Sequence, residues 1–203
     1  MGNGYGWGWY GTKSLQVVPV MKGTPCFVDG MMSHLYYETK RLGKIEQTFC
    51  GDHFTHDIFI HYFESLKTAQ VLCRVTEEAK LIPVGYSWVS NPRGVDGGRA
   101  AQCGFCFLED GSSGKSSARD LARLAVAYAF EDLRIDTLHG VQVIDNIQAR
   151  NFSMRIGFKP VAVVPDYHAI DGKLVAAQVM MLRKSDFWPK FLEWKEKQEK
   201  VTA

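Results

Sequence analysis

The chain has 203 residues, with 24 Lys and Arg against 22 Asp and Glu, for a net charge of +2; 46% of residues are hydrophobic and 23% charged. That balance fits one globular domain with a sizeable core. It supplies no strong field for gathering nucleic acid or an anionic membrane, and no apolar run reaches the roughly 20 residues that span a bilayer. Neither is an expected partner. Cys26, Cys50, Cys73, Cys103 and Cys106 are an odd set in apolar contexts. They read as reduced thiols of a cytoplasmic protein, not as a disulfide framework. The first residues carry neither the basic nor the apolar stretch of a secretory signal.

In chain order, residues 1–13 open with a glycine and aromatic run, GNGYGWGWYG, which reads as a flexible arm. Residues 15–20 are a short strand. Residues 34–47 and 53–66 read as two helices. Three strand-forming runs follow at 70–76, 81–89 and 100–108, with turn chemistry at Asn91-Pro92-Arg93-Gly94, which together predict an antiparallel meander. Residues 118–133 form an amphipathic helix: Leu121, Leu124, Ala125, Tyr128 and Ala129 share one face, and Ser116 or Ser117 is the expected N-cap. A strand at 137–144 precedes a short helix at 148–156 that Gly157 stops. Two last strands, 161–165 and 175–182, join through Asp171-Gly172. Residues 186–200 form a helix with Phe187, Phe191 and Trp194 along one side, a stripe that needs something to dock on. This is a mixed α/β (α+β) order around one central sheet, without the regular alternation of a doubly wound fold.

Residues 105–118 are chemically the most informative. A strand enters a glycine-bearing loop, and the loop opens a helix. Unpaired amides and the positive end of the helix dipole make that junction a site for a phosphate or pyrophosphate. Gly111 and Gly114 permit close approach, Lys115 adds charge, and Ser112, Ser113, Ser116 and Ser117 add hydroxyls. Gly114-Lys115-Ser116 also matches the end of a nucleotide-binding P-loop, but Glu109 stands where that motif requires its leading glycine. Cys103 and Cys106 form a C-x-x-C within a strand. Positions three apart there point to opposite faces, so they read as core thiols and not as a redox pair. His53, Asp57 and His61 share a helix face, but spacing alone is thin support, and no metal is expected.

The loop together with Asn146-Ile147-Gln148-Ala149 and Arg155-Ile156-Gly157-Phe158 resembles the GNAT superfamily of acetyl-coenzyme A-dependent N-acetyltransferases. Members carry Q/R-x-x-G-x-G/A after the fourth strand, then a long helix, a strand ending near an Asn, and a short helix closing in Gly-Phe. The resemblance covers residues 70–182 well and 15–66 loosely, which makes 14–183 the catalytic domain between the arm and a C-terminal helical tail, 184–203. It departs from the family at Gly111, where the family has Gln or Arg, and at Ser116, where it has Gly or Ala.

The resemblance implies a central mixed, mostly antiparallel sheet flanked by helices, whose fourth and fifth strands splay apart around the cofactor. Gly111, Ser113, Gly114, Lys115 and Ser116 would hold the pyrophosphate of acetyl-coenzyme A. Phe107 and Leu108 would offer backbone groups to the pantetheine arm, and Asn146 would reach the cofactor from the fifth strand. The reaction implied is acetyl transfer to a primary amine, on a small molecule or a protein. It calls for an acid near the thiolate and a base for the ammonium. Ser153 stands where many members carry a tyrosine acid. The fourth strand lacks the usual glutamate, leaving Glu78 and Glu109, with Glu77, His139 and Tyr167, as candidate bases. The alternative is a catalytically degenerate member with a structural role. In either case the arm and tail are candidate surfaces for a homo-oligomer or a protein partner.

Overall fold

The computed structural model describes residues 10–20, 30–49, 54–66, 68–94, 98–108, 115–170 and 172–202. Among them are β1 (Leu15–Pro19), α1 (Met31–Arg41), α2 (Ile45–Phe49), α3 (His56–Leu66), β2 (Gln70–Val75), β3 (Leu81–Arg93) and β4 (Ala100–Phe107). Then come α4 (Lys115–Glu131), β5 (Thr137–Val143), α5 (Ile147–Ile156), β6 (Lys159–Ile170), β7 (Lys173–Arg183) and α6 (Lys184–Thr202). The strands form one seven-stranded sheet in the order β1-β2-β3-β4-β5-β7-β6. Every neighbouring pair is antiparallel except β4 with β5. The mixed, mostly antiparallel sheet expected from the sequence is therefore present.

Strand alternation builds a core on each face. On one face α4 buries Leu121, Leu124, Ala125 and Phe130 against Val17, Leu72, Ala101, Cys103, Leu138, Met180 and Leu182. On the other, α1 and α3 bury Leu35, Tyr36, Phe59 and Phe63 against Val71, Cys73, Tyr86, Cys106 and Leu108. Each fully buried Leu or Phe contributes about 1.5–3 kcal/mol. Cys103 and Cys106 fall in different cores, as strand spacing requires. The stripe on α6 docks on the protein's own core: Phe187 meets Phe130 at 5.4 Å, and Phe191 and Trp194 continue the stack. Of the expected arm, residues 1–9 lie outside the described residues, while Tyr10 is buried and its carbonyl accepts from Val17 N–H at 3.1 Å.

Three local expectations are corrected. The first helix is broken: α1 ends at Arg41 with Leu42 as its C-cap, Gly43 takes φ 65°, and α2 starts afresh at Ile45. Asn91-Pro92-Arg93 is not a turn. β3 runs through it with a register shift between Ser90 and Arg93, and Asn91 absorbs the irregularity at φ 51°. A bulge is one of the few places where a sheet tolerates proline. Ser116 and Ser117 do not cap α4, because the helix begins at Lys115 and includes both.

The buried thiols give the fold an alkaline limit. Burial pushes the Cys103 thiol up to about 12, whereas an exposed thiol titrates near about 8.5. Between these values the unfolded chain releases a proton that the folded chain keeps, so stability falls as pH rises through that window. Burial also raises Cys106 and Tyr86, in the same direction. Urea midpoints should drop from about pH 8.5 upward, and Cys103→Ala should flatten the slope; a flat wild-type profile would refute the assignment.

Candidate functional site

The sheet opens between its two parallel strands. β4 and β5 are paired only at Ala100–Thr137, Ala101–Leu138 and Gln102–His139. Beyond those positions β4 continues to Phe107 and β5 to Val143. β4 stays with β3, where Gly85 is opposite Phe107, while β5 stays with β7, where Val143 is opposite Ala177. The result is a fork.

The ladder tells which backbone groups face it. Leu108 N–H donates to Val84 O at 2.8 Å, so the even-numbered residues of β4 spend their amides and carbonyls on β3. The odd-numbered ones, Cys103, Phe105 and Phe107, turn theirs toward the fork. Phe107 O accepts from Lys44 Nζ at 2.8 Å. Leu108 N–H, expected to serve a ligand, is spent within the sheet.

The α4 side of the fork is apolar. Phe107 meets Phe152 of α5 edge to face at 5.4 Å, so the two rings bridge from the end of β4 to the helix after β5. Ser153, next to Phe152, accepts a short hydrogen bond from Gln142 Nε2 of β5, which leaves the serine's own hydrogen for another acceptor. Gln142 Oε1 is buried with no hydrogen-bond partner among the described residues. Asn146 caps α5: its Oδ1 accepts from Ala149 N–H at 3.0 Å, so that oxygen is committed to the helix. Gly157 ends the helix at φ 123°, a backbone conformation that suits glycine.

Leu108 leads through residues 109–114 into α4. Glu109, Gly111, Ser113 and Gly114 lie outside the described residues. Lys115 and Ser116 form the first turn of α4, whose amides have no acceptor within the helix. One turn on, Arg119 Nε is buried without a hydrogen-bond partner among the described residues. An orphan donor and first-turn amides on the helix that follows β4, beside a fork whose open edge offers main-chain groups, suit an extended, amide-bearing ligand with an anionic end.

Not every candidate reaches the fork. Glu78 lies in the β2–β3 turn, paired with Lys80 at 2.7 Å and 72% exposed. Tyr167 is 45% exposed on β6, beside His168. His139 lies where β5 makes its last pairing with β4. Sequence reasoning missed Lys44 and Gln142. Lys44 reaches Phe107 across 63 positions, and nothing local to the sequence signals that contact. Gln142 could have been noticed as a polar residue between Val141 and Val143. Among the described residues no cluster of His, Cys, Asp or Glu has the arrangement of a metal site.

Residues 40–159 match the model of the acetyltransferase (GNAT) domain family. No curated protein sequence matches the chain. Among solved structures, a GNAT-family acetyltransferase from Bacillus anthracis is similar at TM-score 0.65 and 12% identity, covering 86% of this chain and 98% of that one. Spermidine N-acetyltransferase from Vibrio cholerae, solved with coenzyme A and spermine, gives TM-score 0.64 at 15% identity over 86% and 98% of the two chains. Mycobacterium smegmatis RimJ, solved with coenzyme A disulfide, gives 0.64 at 11% over 84% and 82%. At these identities the structures show a shared fold.

Proposed function

The chain belongs to the GNAT acetyltransferase family, and from that membership we propose that it transfers an acetyl group from acetyl-coenzyme A to a primary amine, with the cofactor seated in the fork between β4 and β5. The observation that carries this reading is the loss of β4–β5 pairing beyond Gln102 and His139, with main-chain groups of Phe105 and Phe107 facing the opening.

Bound there, acetyl-coenzyme A supplies a thioester carbon for the amine to attack. The open edge of β4 offers amides and carbonyls to the amide-bearing pantetheine arm, as a sheet edge does to an added strand. Phe107 and Phe152 pack its methylene groups. The first-turn amides of Lys115 and Ser116, with Gly111, Ser113 and Gly114 preceding them, hold the pyrophosphate. Arg119 lies one turn further along α4 with a donor to spare. Asn146 acts by fixing the start of α5 beside the fork. Ser153, oriented by Gln142, donates a hydrogen bond to the sulfur as the thiolate departs, keeping its proton. Glu109, the residue after Leu108, is the carboxylate assigned to receive the amine's proton.

Ser153→Ala tests the chemistry apart from binding. Losing one hydrogen bond to the departing sulfur should lower kcat about tenfold, with the Kd for acetyl-coenzyme A little changed. Ser153→Thr, which keeps a hydroxyl, should recover most of the rate. An unchanged kcat in Ser153→Ala would remove the serine from the reaction.

A further inference from the structure

Lys44 lies in the short connection between α1 and α2, on the face of the sheet opposite α4. Its ammonium donates to Phe107 O at 2.8 Å, and that carbonyl faces the fork. A positive charge is therefore pinned at the opening, on the side away from the α4 N-terminus. Its described neighbours are neutral. Thr39, Thr48 and Tyr86 hydrogen-bond the buried Cys106 thiol, and the charge acting on that thiol is that of Lys44. Among the described residues no carboxylate pairs with Lys44.

We infer that Lys44 is a charge filter for the acetyl acceptor: it disfavours polyamines and favours a monoamine that is neutral elsewhere or carries a carboxylate. The inference rests on the proposed transfer at this fork. The reacting amine must shed its proton to attack, and Glu109, assigned to receive it, becomes neutral in doing so, so the pair adds no net charge at the step. A second ammonium on the acceptor keeps its charge and meets the fixed field of Lys44. A carboxylate in the same place is attracted. At separations of one or two side chains, with one charge half-buried, this is worth roughly a tenfold preference, and salt screens it. The spermidine N-acetyltransferase fold is thus retained here with a feature opposed to a polycationic acceptor.

The test compares spermidine with the dipeptide Ala-Asp as acceptors for the full-length protein. The wild type should prefer Ala-Asp in kcat/KM, and the preference should narrow as salt rises to about 0.5 M. Lys44→Gln keeps an N–H for Phe107 O but loses the charge; the Ala-Asp to spermidine ratio should fall roughly tenfold, and Lys44→Arg should restore it. Calorimetric titration of spermidine into the coenzyme A-loaded protein should show tighter binding to Lys44→Gln than to the wild type. A wild-type preference for spermidine would overturn the filter. So would a ratio indifferent to both salt and Lys44→Gln, or equal spermidine affinities, and acetyl transfer itself would then still stand. Failure of the wild type to bind coenzyme A would instead remove the reading of the fork, and the filter with it.

Discussion

Lys115→Pro is expected to leave the fold intact and to remove most of the affinity for acetyl-coenzyme A. Lys115 is the first residue of α4. Its amide has no acceptor in the helix, and the fixed φ of proline suits that position, so the helix loses nothing it was using. The proposed pyrophosphate would lose one amide donor and one cation. A hydrogen bond to a charged group is worth about 1.5–3 kcal/mol, so the amide alone corresponds to a roughly 10- to 100-fold change in Kd. Lys115→Gln separates the contributions, since it removes the charge and keeps the amide. The expected order of affinity is wild type, then Lys115→Gln a few-fold weaker, then Lys115→Pro weaker again by at least an order of magnitude. Equal affinities in Lys115→Pro and Lys115→Gln, both folded, would show that the first-turn amide holds no phosphate.

The largest effect on stability is expected from Gly104→Val. Gly104 faces Trp88 across the β3–β4 ladder, and a Cβ built on it would lie 2.1 Å from the indole ring. The ring cannot step aside cheaply, because Trp88 packs against Phe49 at 5.6 Å, Phe63 at 6.0 Å and Tyr86 at 6.1 Å. Overpacking of this kind costs about 3 kcal/mol or more, roughly 6–12 °C in Tm for a domain of this size. The effect bears on function as well as stability, because Gly104 lies two residues beyond Gln102, where β4 leaves β5. Denaturation of Gly104→Val, Trp88→Ala and the double variant forms a cycle. The double variant should be more stable than the sum of the single losses allows, because the clash is gone once the indole is removed. A Gly104→Val protein within about 1 kcal/mol of wild type would mean that the indole does not cover this glycine.

The strands and the long helix were legible because their signals are local. Runs such as residues 70–76 carry β-branched residues, and Leu121, Leu124, Ala125 and Tyr128 repeat with helical period. Gly157 closes α5 as read, since a helix end demands a residue that accepts a positive φ. The errors fell where tertiary packing overrides a local preference. Asn91-Pro92-Arg93-Gly94 has the composition of a turn, yet pairing with β4 carries β3 to Arg93. Residues 34–47 read as continuous helix, and only the positive φ of Gly43 marks the bend that brings Lys44 to Phe107.

The site divides in the same way. Gly111, Ser113, Gly114, Lys115 and Ser116 were read as an anion loop from the chemistry of a helix start. The fork was implied only by resemblance, because no property of residues 100–107 or 137–143 alone says where their pairing stops. Asn146 was read as reaching the cofactor, and its oxygen proves to be a helix cap. Gln142 and Lys44, which orient Ser153 and bind Phe107, emerge only when distant segments meet.

Calorimetric titration of the full chain with acetyl-coenzyme A, with ATP and magnesium as the control ligand, decides whether the fork and the α4 N-terminus hold the cofactor. Saturable binding of acetyl-coenzyme A in the micromolar range, and none of ATP, is the expected result. Binding of ATP with no response to acetyl-coenzyme A, or of neither ligand, would contradict it.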